Sequence, residues 1–141
     1  MMAIRQIGVI DGQGGGIGSA IIRKLKERVG EQVEIIALGT NAIATAQMLK
    51  ARANRGASGE SASVQTVAKL DVIIGPIGIV LAHAMMGEVT PAIAAAVAGC
   101  HAKKLLLPLT QENIEIIGVA PTPLPQLVDE LLQRHLGGLP D

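Results

Sequence analysis

The sequence contains no Phe, Tyr or Trp. Without aromatic rings it lacks the usual stacking platform for single-stranded nucleic acid, and it has no tyrosine to serve as a catalytic acid or base. It has one cysteine, Cys100, which excludes an internal disulfide and makes a reducing cytoplasm the expected compartment. Neither sign of charge is in excess: 12 Lys and Arg balance 12 Asp and Glu. Nothing in that balance attracts nucleic acid or an anionic membrane, and neither is expected as a partner. The opening MMAIRQIG lacks the basic region and long apolar stretch of a signal peptide. The longest apolar run, Val72 to Ala82, is too short for a membrane span and carries Gly75, Pro76 and Gly78.

What the chain does have is apolar residues, 49% of 141, and 17 glycines. The length suits a single domain, residues 1–141, with room for a core. The apolar surplus must enter a strongly buried sheet, an oligomer interface, or both, and a homo-oligomer is expected. The all-round apolar segment Ile79 to Met86 and the final helix are the candidate interfaces.

Hydrophobic periodicity alternates between strand and helix. Ile4 to Ile10 reads as a buried strand, followed by a helix on which Ile17, Ile21, Leu25 and Val29 form one stripe, ended by Gly30. Val33 to Leu38 is a second strand, and Thr40 or Asn41 is placed to cap a helix through about Arg52. NRGASGES reads as a turn-rich connection. Ala62 to Leu70 is a short helix, and Val72 to Ile74 begins a third strand broken by GPIG. Thr90-Pro91 starts a helix to Gly99, Lys104 to Leu107 is a fourth strand and Ile114 to Val119 a fifth. Pro123 opens the last helix, stopped by Gly137-Gly138. This order predicts an α/β fold, a Rossmann-like three-layer sandwich with a mostly parallel sheet of about five strands. Only PLTQEN separates the last two strands, too short for a crossover helix, so the fifth is expected to be antiparallel or at an edge.

Five glycines fall within VIDGQGGGIGSAI, residues 9–21, between the first strand and the first helix. Each costs backbone entropy on folding. A strand that runs through glycines into a helix N-terminus is the architecture of a phosphate-binding turn, where unpaired N–H groups and a partial positive charge meet an anion. The spacing Gly12-x-x-x-Gly16-x-Gly18 resembles the cofactor turn of the short-chain dehydrogenases, with Asp11 where a threonine usually stands. SVQTVAKLDVIIGPIGI also resembles that family's helix and strand leading to its Asn-Asn-Ala-Gly turn, with Gly75, Pro76, Ile77 and Gly78 in place of the tetrad. This likeness covers the first half of the chain and implies a Rossmann-like fold and nucleotide binding. It does not extend to the chemistry, because the family's Tyr-x-x-x-Lys is absent, as is a charged residue after the second strand, where Gly39, Thr40 and Asn41 stand.

A second resemblance spans nearly the whole chain. IDGQGGGIG, EIIALGTNA, IIGPIGI, MMGE and AKK resemble the motifs of a family of small bacterial proteins known as a domain of unknown function. That resemblance implies a Rossmann-like fold and a cytoplasmic bacterial protein, and brings no activity with it.

The candidate ligand contacts are therefore Asp11, Gly12, Gln13, Gly14, Gly15, Gly16 and Ile17 in the first turn, Gly39, Thr40 and Asn41 after the second strand, and Gly75, Pro76, Ile77 and Gly78 after the third. The ligand expected is a small phosphorylated molecule, a nucleotide or dinucleotide among the candidates. Each position also has a plain reading. Gly18 allows helix and strand to approach, Asp11 accepts backbone N–H groups and fixes the turn, and Thr40 and Asn41 are helix caps. His83, in an apolar segment, reads first as a core residue with one hydrogen bond, and second as a general acid or base oriented by Glu88. Cys100 reads as structural, and no metal-ligand spacing is present. Three functions stay open: a binder of a nucleotide or phosphorylated metabolite, a non-catalytic homo-oligomeric interaction protein with a structural glycine loop, and a small enzyme using His83 or Asp11.

Overall fold

A computed structural model describes residues 3–140. Its five strands are β1 Gln6–Asp11, β2 Glu34–Gly39, β3 Arg55–Ser58, β4 Val72–Pro76 and β5 Lys103–Leu107. The helices are α1 Gly16–Val29, α2 Ala42–Lys50, α3 Glu60–Val67, α4 Pro91–Gly99 and α5 Leu124–Arg134, and a 3-10 turn, Ile77–Val80, follows β4. The strands form one sheet in the order β3-β2-β1-β4-β5, and every pairing is parallel.

Strand alternation builds the three layers. Successive side chains point to opposite faces, so Ile7 and Val9, Ile35 and Ala37, and Val72 and Ile74 face α1, α2 and α5 through Ile21, Leu25, Met48, Leu127 and Leu131. Ile10, Ile36, Leu38 and Ile73 face the other side, where Val67, Ile79, Ile93 and Val97 cover them. Two capped helices start as their sequences indicate. Asn41 Oδ1 accepts the Ala44 N–H at 2.8 Å, and Thr90 Oγ1 accepts the Ile93 N–H at 3.2 Å, with Pro91 in the first turn.

The expected fifth strand is corrected in both place and direction. Ile114 to Val119 is irregular, and among the described residues no strand runs antiparallel. The β-branched residues there satisfy strand propensity but do not pair with the β5 edge, and propensity without a pairing does not make a strand. The fifth strand is instead β3, RGAS, in what reads as a turn-rich connection. It is a short, exposed edge beside β2 and carries no apolar alternation for the sequence to display. The long irregular connection after β5 crosses the strand exits instead of extending the sheet. No helix among the described residues is long and apolar enough to cross a membrane.

Candidate functional site

The strand order reverses at β1, which lies between β2 and β4. In open parallel sheets the crevice outside the strand ends at such a point is where ligands bind. A cleft of about 670 Å³ opens there, over the exits of β1, β4 and β5. Asp11, Gln13 and Ile17 line it from the glycine turn, Pro76 from the end of β4, Gly78 from the 3-10 turn after it, and Leu109 to Glu112 from the connection after β5. The fourth wall is a strap, His83 to Gly87, in which His83, Met85, Met86 and Gly87 all take the left-handed backbone region, with φ of 69°, 59°, 58° and 90°.

Asp11 organises the turn. Its side chain is buried, and its two carboxylate oxygens accept the N–H of Gly12 at 2.8 Å and of Gly18 at 2.7 Å. Burial pushes its carboxyl above the ordinary range, and the Glu88 charge adds to this, against the pull of the Gly18, Gly12 and Ile17 N–H groups. The Gly15 N–H closes the turn on the Gly12 carbonyl at 2.9 Å.

The glycines divide into two kinds. Gly15, Gly39 and Gly75 are closed off by neighbouring backbone, and Gly12 and Gly18 are crowded by side chains packed over them. A Cβ on any of them would run into packed neighbours: Met85 and Glu88 for Gly12, the Ala44 backbone for Gly15, Met48 for Gly18, Thr45 for Gly39, and the Ile10 carbonyl for Gly75. Gly15 also has φ 73°. Gly14 and Gly16 are different. Both are exposed, neither has positive φ, and a Cβ on either would meet nothing within 4 Å. Their backbone N–H groups, flanked by the cleft residues Gln13 and Ile17, find no partner among the described residues. Gly16 is the first residue of α1, where the helix dipole favours negative charge.

Glu88 holds the other side of the crevice. Its Oε1 accepts three hydrogen bonds: from the Gln13 N–H at 2.8 Å, Thr40 Oγ1 at 2.6 Å and Asn41 Nδ2 at 2.8 Å. Burial raises its pKa, but the bonds from Thr40, Gln13 and Asn41 together outweigh burial and hold the carboxyl below its ordinary range. Asn41 Nδ2 also donates to the Gln13 carbonyl at 3.0 Å. Thr40 and Asn41 are thus drawn into a network between β2 and the glycine turn. Of the predicted contacts, Gly12, Gly14, Gly15, Gly16, Gly39, Thr40, Asn41, Gly75 and Ile77 do not line the cleft, Gly14 and Gly16 standing beside it between the lining residues Gln13 and Ile17. A depressed Glu88 pKa stabilises the fold above the ordinary value of 4.5, and that contribution is lost as pH falls through the lower folded-state value. Asp11 has the opposite sign, its contribution falling as pH rises from its ordinary value toward the raised one. In urea melts from pH 7 down to pH 3, Glu88→Gln is expected to lose less stability on acidification than the unaltered chain.

His83 is corrected from a core residue to an exposed one on the cleft wall, and its side chain makes no hydrogen bond among the described residues. Its apolar neighbours in sequence suggested burial, but the left-handed backbone turns its side chain out of the core while Ala84 is buried. Glu88 does not orient it, being committed to Thr40 and Asn41. Glu112 reaches the strap instead, its Oε1 accepting the Met85 N–H at 2.9 Å. Thr110 to Glu112 line the cleft where their place directly after a strand exit in the sequence puts them, whereas the strap from Ala84 to Gly87 and Leu109 carry no such signal. Groups of three or more potential metal ligands are absent among the described residues.

No curated protein matches the chain. Among solved structures it is similar to a universal stress protein crystallised in complex with cAMP, at 19% identity and a TM-score of 0.43, over 74% of this chain and 97% of that one. A likeness of that size carries no weight for the site. The sequence profile of a domain of unknown function, DUF3842, matches residues 6–138, nearly the whole chain, and the protein belongs to that family.

Proposed function

We propose that this protein binds a nucleotide or another small phosphorylated metabolite at the strand-to-helix turn. The phosphate is received by the N–H groups of Gly14 and Gly16, and the rest of the ligand enters the cleft beside them. The observation that carries this reading is that the fold needs no glycine at Gly14 or Gly16, while both present unpartnered N–H groups at the start of a 14-residue helix. A purely structural loop accounts for Gly12, Gly15 and Gly18 and leaves these two without a reason. The remaining walls suit an organic moiety: Ile17, Pro76, Met85 and Leu109 are apolar, and His83, Thr110 and Gln111 offer hydrogen bonds. Calorimetric titration with nucleoside monophosphates, sugar phosphates, ATP, NAD, NADP and coenzyme A tests it. Saturable binding of at least one member, lost on Gly16→Val, supports the reading, and no binding by any of them removes it.

The reading is one of binding. The cleft is lined by no Lys and no Tyr, so a nicotinamide-dependent reduction would lack the donor that polarises the substrate oxygen. We expect no turnover of NADH or NADPH with a broad carbonyl panel. Steady cofactor oxidation that survives repurification and disappears in His83→Ala would make His83 a catalytic residue.

We further propose a homo-oligomer, with the connection after β5 added to the candidate interface. The final helix buries Leu127, Val128 and Leu131 in the core, and Ile79 is buried as well, while Met86 at the end of its segment is 94% exposed. Further exposed apolar residues lie on the connection after β5: Ile114 at 44%, Ile117 at 88% and Val119 at 46%. β5, which precedes that connection, is itself an unpaired edge of the sheet. Sedimentation at micromolar concentration is expected to give at least a dimer, and Ile117→Asp to shift it toward 14.5 kDa. A monomer without any substitution contradicts this.

A further inference from the structure

We infer that Glu88 closes the β2 side of the crevice and thereby selects a ligand with a single phosphate group, a mononucleotide or sugar phosphate, over a dinucleotide. This rests on the reading of Gly14 and Gly16 as the phosphate site. A dinucleotide lies across the crevice where strand order reverses, and so needs room on both sides of that point. Here one side is open and the other is shut. The open side is the cleft over the β4 and β5 exits. On the shut side, Glu88 reaches from the strap across the β1 exit and takes the hydrogen-bond donors that the two strand ends offer: the Gln13 N–H, Thr40 Oγ1 and Asn41 Nδ2.

The side chains crowd there: a single added carbon on Gly12 would lie within 3 Å of Thr40 Oγ1, Met85 Sδ and Glu88 Oε1 together. Asn41 is fixed at both ends, its Oδ1 capping α2 and its Nδ2 held by Glu88 and the Gln13 carbonyl. Among the described residues no Lys or Arg lines the cleft, so an anion there is balanced by N–H dipoles and the helix terminus alone.

The test is a titration of the unaltered chain, Glu88→Ala and Glu88→Gln with AMP, ribose 5-phosphate and NAD. The unaltered chain is expected to bind at least one monophosphate probe about tenfold or more tighter than NAD. Glu88→Ala frees Thr40 and Asn41 and should narrow that ratio by about tenfold. Glu88→Gln keeps a carbonyl that accepts the same donors and should retain the original preference. Glu88→Asp, whose carboxylate stands one methylene short of those donors, replaces alanine should that variant not fold. If the unaltered chain binds NAD as well as AMP and Glu88→Ala loses NAD, then Glu88 is a ribose contact and the closure is wrong, while the phosphate site stands. If no probe binds the unaltered chain, the phosphate site itself is wrong and the inference falls with it.

Discussion

Gly16→Val is expected to weaken binding of a phosphate monoester by about a hundredfold, the equivalent of two hydrogen bonds to a charged group at about 1.5 kcal/mol each. Its unfolding free energy should stay within about 1 kcal/mol of the unaltered chain. The asymmetry follows from what surrounds the residue. The Cβ position at Gly16 is open, and its φ is not in the left-handed region, so the fold accepts a side chain there. A ligand does not, because the branched carbons would stand between the phosphate and the N–H groups of Gly14 and Gly16. Gly15→Val is the control with the opposite profile. Gly15 has φ 73°, and its Cβ would lie 2.8 Å from the Ala44 carbonyl oxygen, so the cost falls on stability, at roughly 2–4 kcal/mol. Should both valines unfold the chain alike, the loop is structural throughout and the second function read from the sequence, an interaction protein, gains.

Asp11→Ala carries the second large effect, this time on the fold. The carboxylate holds the Gly12 and Gly18 N–H groups in a buried position, where water does not replace it. Removing it leaves two donors without an acceptor and should lower stability by roughly 3 kcal/mol, read as a shift in urea midpoint. Phosphate binding should fall with it, because the turn that aims the Gly14 and Gly16 N–H groups loses its anchor. Asp11→Asn retains one acceptor oxygen and turns an NH₂ toward the other donor, so its loss should lie between alanine and the unaltered chain. Stability of Asp11→Ala equal to that of the unaltered chain contradicts an anchoring role.

The glycine turn was legible because its requirement is local. A strand, a run of glycines and an amphipathic helix follow one another in the sequence, and the chain folds them as neighbours. The sorting of the glycines was not legible. Gly12 and Gly14 look alike in one dimension, and what separates them is Met85 and Glu88, brought in from more than 70 residues away. Glu88 illustrates the same limit. Its sequence neighbourhood offered His83 as a partner, whereas the fold gives it Thr40 and Asn41 from the far side of β1. Polar residues that meet across a sheet leave no periodic trace. β3 escaped notice for a related reason, since an exposed edge strand such as RGAS needs no apolar alternation to pair with β2. Ile114 to Val119 failed in the reverse sense, with strand-forming residues that pair with no strand among the described residues. The core strands, buried on both faces, declared themselves through Ile and Val alone.

The measurement closest to the central claim is a titration followed by amide ¹H–¹⁵N NMR, with AMP and ribose 5-phosphate as probes. The Gly14 and Gly16 amides are predicted to show the largest saturable shifts, followed by Gln13 and Ile17, with Gly39 little moved while Glu88 keeps the β2 side closed. Gly14 and Gly16 amides that stay unshifted up to millimolar probe, or saturable shifts centred elsewhere on the sheet, would contradict a phosphate site at this turn.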